Sequence, residues 1–378
     1  MIKSSYIYED GQWDKTLDST LDGENTMVLC FGSTEISDIN NGLNDLKNNY
    51  PTSKIIGCST SGEIKDDILY EKSLVVMVVK FEKTKLKLYS KKIENSEQSF
   101  RIGEEISSNL AADDLKSIFI LSDGLNTNGS TLTKGISKSL SNSVVVTGGL
   151  AGDDANFSKT WVFVDGQPLS NYLVAIGFYG DNFRVGYSSQ GGWQKFGIDR
   201  MVTEAKGNTL YKLDHKPALD VYKTYLGDNS KNLPASGLMY PLMIKEDGCS
   251  ESKVRTILAI NEDDQSITFA GDIPNGSEVM FMKATNEQLI NGALLASDRL
   301  LSFNYQNELA VSIAISCVGR KLVLGSKIED ELEAVCSAYG KNVEQIGYYS
   351  YGELSPLLSG FCDLHNQTMT LTLFWEVE

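Results

Sequence analysis

Histidine is almost missing from this chain of 378 residues, which holds only His215 and His365. Its imidazole is the side chain whose ordinary pKa lies nearest neutrality, so acid–base catalysis has little material here. Cysteine is sparse as well. Cys30, Cys58, Cys249, Cys317, Cys336 and Cys362 contain no CxxC pair, which argues against both a disulfide framework and a zinc site. Cys30 and Cys317 sit inside apolar runs, the usual place of a small buried thiol. The longest unbroken apolar run, Leu74 to Val79, is far too short to span a bilayer, and the opening MIKSSYIYEDGQWDK lacks the apolar core of a secretory signal. A cytoplasmic protein is expected. Positive charge is also in deficit: 34 Lys and Arg face 50 Asp and Glu, a formal net charge of −16. Phosphate backbones and anionic membrane surfaces are therefore poor partners.

What the chain has is a pattern that returns three times. An apolar run is followed by an amphipathic stretch of helix length, then by a second apolar run that ends in a glycine loop closed by a Gly-acid pair. The loops read GCSTSGE (Gly57 to Glu63), GGLAGDD (Gly148 to Asp154) and GYYSYGE (Gly347 to Glu353), and each precedes another strand-like run. The first copy contains MVLCFGS, a helix around Leu43 to Leu46, IIGCST and LVVMVVKF; the second contains SIFILSDG, Thr131 to Leu140, VVVTGG and YLVAIGF. The third contains LAVSIAISC, Glu329 to Tyr339, QIGYYSYGE and TMTLTLFW. This predicts repeated β-α-β-β units. Glycine at such corners permits positive φ and close approach of another backbone or a ligand. The loops are either sharp turns carrying solvated carboxylates or, taken as three, the walls of one shared cleft.

Further strands are expected at Leu86 to Tyr89, Trp161 to Val164, Phe183 to Tyr187, Ile257 to Ile260, Ser266 to Phe269 and Glu278 to Met282. Helices are expected over Thr209 to Thr224, despite Pro217, and over Thr285 to Leu301. A length of 378 residues predicts two domains or three. An N-terminal segment 1–26 and halves 27–207 and 208–378 follow, with the border placed before the Thr209 helix and not in the polar stretch Leu226 to Ser236. The class is α+β or α/β, two-lobed, with layered sheets and helices outside.

Candidate chemistry is thin for catalysis and better for binding. Cys58 or Ser59 with His365 as base would make a Cys-dependent hydrolase, yet GCSTSG lacks the GxSxG elbow. Arg255 enters the apolar strand VRTILAI and Arg320 follows the run ending in Cys317. A guanidinium among buried strands needs an anionic partner. It finds one either internally, as in an Arg320–Glu353 bridge, or in a ligand carboxylate, with Glu353 or Asp153 accepting an ammonium. His365, Asn366, Gln367 and Thr368 crowd four hydrogen-bonding side chains against a very apolar strand. His215 lies in the amphipathic stretch, where a surface histidine is ordinary.

SCVGRKLVLG (Ser316 to Gly325), GYYSYGE and HNQTMTLTL (His365 to Leu373) resemble the C-terminal half of the FIST sensory domain. GCSTSGE and GGLAGDD resemble its N-terminal half, and Tyr240-Pro241, Arg255 and Gly271-Asp272 add further matches in order. The resemblance implies a cytoplasmic ligand-sensing module of bacterial or archaeal signal transduction that binds a small polar molecule, an amino acid or another carboxylate. Family members are often fused to histidine kinase, diguanylate cyclase or chemoreceptor modules. This chain ends just after the last motif, so a separate kinase or cyclase partner is expected. The expected site comprises Arg255, Arg320, Glu353, His365, Asn366, Gln367 and Thr368, together with Cys58, Ser59, Gly149 and Asp153 of the glycine loops. No cofactor or metal is expected. One branch resembles haem-binding nitric-oxide sensors, for which His365 or His215 would be the axial ligand.

Overall fold

The apolar runs become the central strands of three sheets in the computed structural model, which describes residues 1–141, 143–246, 252–357 and 359–378. Cys249 lies outside the described residues. Strands such as Thr26–Gly32 and Ala310–Cys317 are buried at every position. A strand without a polar face must be covered on both sides.

Each sheet has the same centre. Thr26–Gly32 runs parallel to Lys54–Ser59 across helix α1 (Ile36–Asn49) and antiparallel to Leu74–Lys80, with Ile2–Glu9 beyond. In the second sheet Leu115–Ser122 lies between Val145–Leu150, parallel, and Tyr172–Tyr179, antiparallel, with Lys85–Lys92 beyond. Helix α2 (Ser99–Leu110) precedes this unit's first central strand, and α3 (Gly129–Ser137) makes its crossover. The third sheet repeats the arrangement with Ala310–Cys317 between Val343–Ser350 and Met369–Glu376, and with Phe183–Gln190 beyond. The expected β-α-β-β repeats are thus present in an α+β fold.

The glycine loops sit where each unit sends out a hairpin, and every hairpin joins a different unit's sheet. The first unit's Glu63–Lys65 pairs with Val343–Ser350 of the third. The second unit's Val162–Val164 pairs with Lys54–Ser59 of the first, and the third unit's Gly352–Pro356 pairs with Val145–Leu150 of the second. The exchange closes in a ring, so the two sequence halves interleave in space. The loops' first glycines hold equivalent positions, paired with Cys30, Ile120 and Ala314. A Cβ at Gly347 would stand 1.8 Å from the Ala314 carbonyl oxygen, and one at Gly57 would stand 2.2 Å from that of Cys30. That crowding explains glycine there.

The inner faces of the three sheets share one apolar core that includes Phe31, Phe119, Ile313, Tyr348 and Phe374. Helices cover the outer faces: α1 the first, α2 and α3 the second, and α5 (Asn286–Leu300) with α7 (Ile328–Ser337) the third. Thr285 caps α5 in a reciprocal capping box with Gln288. The short α6 (Val318–Leu324) follows the third unit's first central strand.

Between Phe183–Gln190 and α5 the third unit carries an insertion, a nine-stranded antiparallel sheet from Gln194 to Lys283 with its own core around Leu219, Tyr222, Leu242 and Phe281. This second body is where the sequence reading needs correcting. The stretch expected as a helix from Thr209 begins as strands Thr209–Leu213 and Lys216–Pro217, and α4 covers only Ala218–Leu226. Asp214 and His215 turn the chain with φ of 48° and 65°. The residue before Pro217 is also held out of helical conformation. The Gly207–Asn208 border falls in the turn of a hairpin between Arg200–Lys206 and Thr209–Leu213.

Candidate functional site

The three glycine loops do meet, in a buried junction and not in a cleft. Ser61 N donates to Tyr349 O at 2.8 Å, Tyr349 N to Gly62 O at 2.9 Å, and Gly152 N to Ser59 O at 3.0 Å. Lys321 clasps all three units, donating to Ser61 O at 2.8 Å, Glu71 at 2.8 Å and Asp154 at 2.9 Å.

Most of the expected site residues are engaged there internally. Glu353, fully buried, accepts from Ser350 Oγ at 2.7 Å and from Thr368 Oγ1 at 2.8 Å and N at 3.3 Å. Burial pushes its pKa up to about 8, against the pull of those bonds. Glu63 repeats the arrangement with Thr60 and Ser73, and burial pushes its pKa up to about 7. Asp153 caps its own loop through the N–H groups of Phe157, Ser158 and Lys159. Ser59 Oγ accepts from Trp161 N at 3.0 Å, and Gly149 packs where a Cβ would lie 2.6 Å from Tyr348 Oη. Cys58 is fully buried, and burial raises its thiol well above the ordinary value. A sealed thiol of that kind is a poor nucleophile.

Neither arginine reaches solvent. The expected internal bridge of Arg320 exists, with Glu331 of α7 as partner in place of Glu353. Arg320 Nε donates to Glu331 at 2.9 Å and its other nitrogens donate to the carbonyls of Leu289, Gln367 and Gly191. Arg255 donates to Leu364 O at 3.0 Å, Val254 O at 3.1 Å, Asp272 O at 3.3 Å and Ser130 Oγ at 3.3 Å. It staples the inserted sheet to the second sheet's outer hairpin.

The large concavity lies elsewhere, a cleft of about 750 Å³ between the inserted sheet and the body. The body supplies the end of Phe183–Gln190, Arg299 at the end of α5, Phe303 in the turn after it, and the turn bearing His365, Asn366 and Thr368. The insertion supplies Met243, Ser252 to Val254 and Met282, and Trp193 stands at the link between the two bodies. Of the expected site residues the structure brings His365, Asn366 and Thr368 to this cleft. Gln367, at φ 61°, turns its amide away to Leu238 O, while its carbonyl receives Trp193 Nε1 at 2.8 Å. Arg320 thus holds the carbonyl of cleft-lining Gly191 and that of Gln367 behind it, without facing the cleft.

Among the described residues some of the cleft's polar atoms lack partners, whereas in the junction the buried atom so left is the Tyr348 hydroxyl. His365 Nε2 lies 3.0 Å from Ser355 O and must donate to it, and burial lowers the ring's pKa. The imidazole is therefore neutral, with Nδ1 left as an acceptor. Asn366 is 1% exposed, and its Oδ1 has no hydrogen-bond partner among the described residues; Ser188 Oγ is likewise buried and unpartnered. Lys253 is paired with Asp363 at 2.5 Å and Glu246 at 2.9 Å. Arg299 has no carboxylate partner among the described residues. With the Gln190 carboxamide turned so that its oxygen faces Arg299, the guanidinium donates to it at 2.5 Å from Nη1 and 2.6 Å from Nη2.

Arg299, Lys253, Gln190 and Trp193 were not signalled by the sequence, since an arginine in the last turn of a helix is an ordinary favourable charge. His215 is exposed on its turn in the inserted sheet. Among the described residues no cluster of His, Cys, Asp and Glu suits a metal, and no helix is long and apolar enough to cross a membrane.

Two family models match the chain, the FIST N domain over residues 26–216 and the FIST C domain over residues 218–356. The matches meet at Pro217, inside the inserted sheet. An uncharacterized protein of Methanocaldococcus jannaschii, MJ1623, is 24% identical over 347 aligned residues that cover 82% of this chain. The chain spans 65% of that relative's own length.

Proposed function

The chain belongs to the FIST family, whose domains are sensory rather than catalytic, and on that premise we propose that it senses a small carboxylate-bearing ligand, of amino-acid type, in the cleft between the inserted sheet and the body. The observation that carries this reading is, among the described residues, a cation without an acid, held by Gln190 alone, beside buried polar atoms without partners on the cleft wall. Arg299 offers a planar double donor without a carboxylate of its own, and Asn366 Oδ1, Ser188 Oγ and His365 Nδ1 offer acceptors or a hydroxyl. A buried polar atom left without a partner costs free energy until a ligand satisfies it. A zwitterion or an amide-bearing acid does so.

The ligand bridges two bodies, so its binding favours the arrangement in which the inserted sheet closes on the third unit. The surface thus altered would be read by a separate kinase or cyclase in the cytoplasm. A haem in this cleft would have His365 Nδ1 as its one histidine ligand, since His215 lies away from the cleft.

The test is a thermal-shift screen of the full chain against amino acids and small organic acids, repeated on Arg299→Ala. A ligand at a hundred times its Kd stabilises the fold by about 2.7 kcal/mol. That gives a melting rise of several degrees in the parent protein and little in the variant. An equal rise in both would move the site away from Arg299; no rise with any carboxylate would sink the reading.

A further inference from the structure

The cleft's walls say more about the ligand than its charges do. Four consecutive residues, Tyr187 to Gln190, line it, and so do three more, Ser252 to Val254. Side chains of a strand alternate between its two faces. A wall that is a sheet's face therefore shows every second residue, whereas an unbroken run means that the strand presents its edge. Both strands are edges: Phe183–Gln190 ends the third sheet and Ser252–Arg255 ends the inserted one. Every second residue of an edge strand directs its N–H and C=O away from its one neighbour. No hydrogen bond beyond the ladder occupies the main chain of Tyr187 to Gln190 among the described residues, whereas the Val254 carbonyl already accepts from Arg255.

We propose that the cleft takes a short extended peptide with a free C-terminus, added as a strand along the open edge Tyr187–Gln190. This rests on the reading of the cleft as the sensory site. The peptide's main chain pairs with that edge and its carboxylate is held by Arg299. Apolar side chains meet Met243, Met282 and Phe303 on the cleft walls. Strand addition to an exposed edge draws affinity from the main chain and selectivity from pockets for alternate side chains. The volume agrees, because about 750 Å³ lies in the range that encloses drug-sized molecules, roughly 300–1,000 Å³, and far exceeds one free amino acid.

Calorimetry on the full chain decides the matter with four probes: leucine, Leu-Ala-Leu, its C-terminal amide, and Leu-Ala-Leu methylated on the middle amide nitrogen. The tripeptide is expected to bind at least about tenfold more tightly than leucine. Each modification should cost about tenfold, the scale of one lost hydrogen bond or charge contact. Leucine binding as tightly as the tripeptide, or indifference to N-methylation, would overturn the peptide and leave the small-carboxylate sensor standing. Silence from all four probes while the amino-acid and organic-acid screen gives a hit would do the same. Silence in both experiments would sink both readings.

Discussion

The glycine-loop junction and the interbody cleft are built from the same kinds of residue, yet they end in opposite states. Around the junction Glu63, Glu353, Asp153, Ser59 and Lys321 are each bonded to protein atoms, some through a repeated scheme: a hydroxyl three residues before the glutamate and a second one just before the next strand. In the cleft Asn366 Oδ1 and Ser188 Oγ are as deeply buried but unpartnered, and Arg299 lacks an acid. Repetition of polar motifs therefore marks the joint of the architecture; the cleft is set apart by unmatched atoms that line a concavity beside a cation without an acid, whereas others, such as the Tyr348 hydroxyl, lie sealed in the core. Thr368 touches both, lining the cleft while donating to Glu353.

The comparison breaks most easily at Arg320, which frames the cleft from inside. Arg320→Ala leaves Glu331 buried without its counter-ion and frees three carbonyls, so a loss of about 3–5 kcal/mol is expected in urea unfolding. Replacing both by leucine and methionine should recover part of it. An Arg320→Ala protein as stable as the parent, but deaf to ligand, would instead return Arg320 to the binding site.

Gly347→Ala tests the joint itself. The new Cβ would press on the Ala314 carbonyl, and overpacking of this kind costs about 1–3 kcal/mol. The equivalent change at Gly57 meets the Cys30 carbonyl and should behave alike. Unequal effects would weaken the claim that the three corners are equivalent.

The buried glutamates give the joint a pH signature. Both pKa values are raised by burial, to about 7 for Glu63 and about 8 for Glu353, so the folded protein holds protons that the unfolded chain releases above its ordinary carboxylate range. Their contribution to stability is complete at pH below the unfolded value and is lost as pH rises through the folded values. Between pH 5 and pH 7 stability should fall by up to about 1.4 kcal/mol per pH unit for each carboxyl. Glu353→Gln, neutral throughout, should remove its share of the slope in urea midpoints taken across that range. An unchanged slope would mean that Glu353 is ionised in the fold.

The repeated units were readable because each signal is local: continuous apolar runs, helix-length spacers, and glycines where a neighbouring strand leaves no room for Cβ. The exchange of hairpins was not, since GCSTSGE looks the same whether its strand returns to its own sheet or crosses to another unit. The Thr209 stretch misled because Leu210, Leu213, Leu219 and Tyr222 satisfy a helical spacing while Asp214, His215 and Pro217 turn the chain between them. At the site, HNQT signalled His365, Asn366 and Thr368, for polar side chains pressed against an apolar strand need an explanation. Arg255 and Arg320 carried the same signal, and their explanation proved to be internal. Arg299 carried none, because its role depends on the insertion from Gln194 to Lys283 folding back over the end of α5.

The finest contrast uses one chemical change at two serines. Ser350 is fully buried and donates to Glu353 at 2.7 Å; Ser188 is 5% exposed and its hydroxyl has no partner among the described residues. Removing a hydroxyl that satisfies a buried carboxyl strands the partner, so Ser350→Ala should cost about 1–3 kcal/mol. Ser188→Ala removes a group that gains nothing in the free protein and should stay within about 0.5 kcal/mol of the parent. The order reverses in the presence of ligand. Ligand-induced stabilisation should survive Ser350→Ala in proportion to the folded fraction, and should shrink in Ser188→Ala although its free form is intact. Equal costs at the two serines in the free protein would erase the distinction between a satisfied joint and an unsatisfied site, and with it the reason for placing the ligand in the cleft.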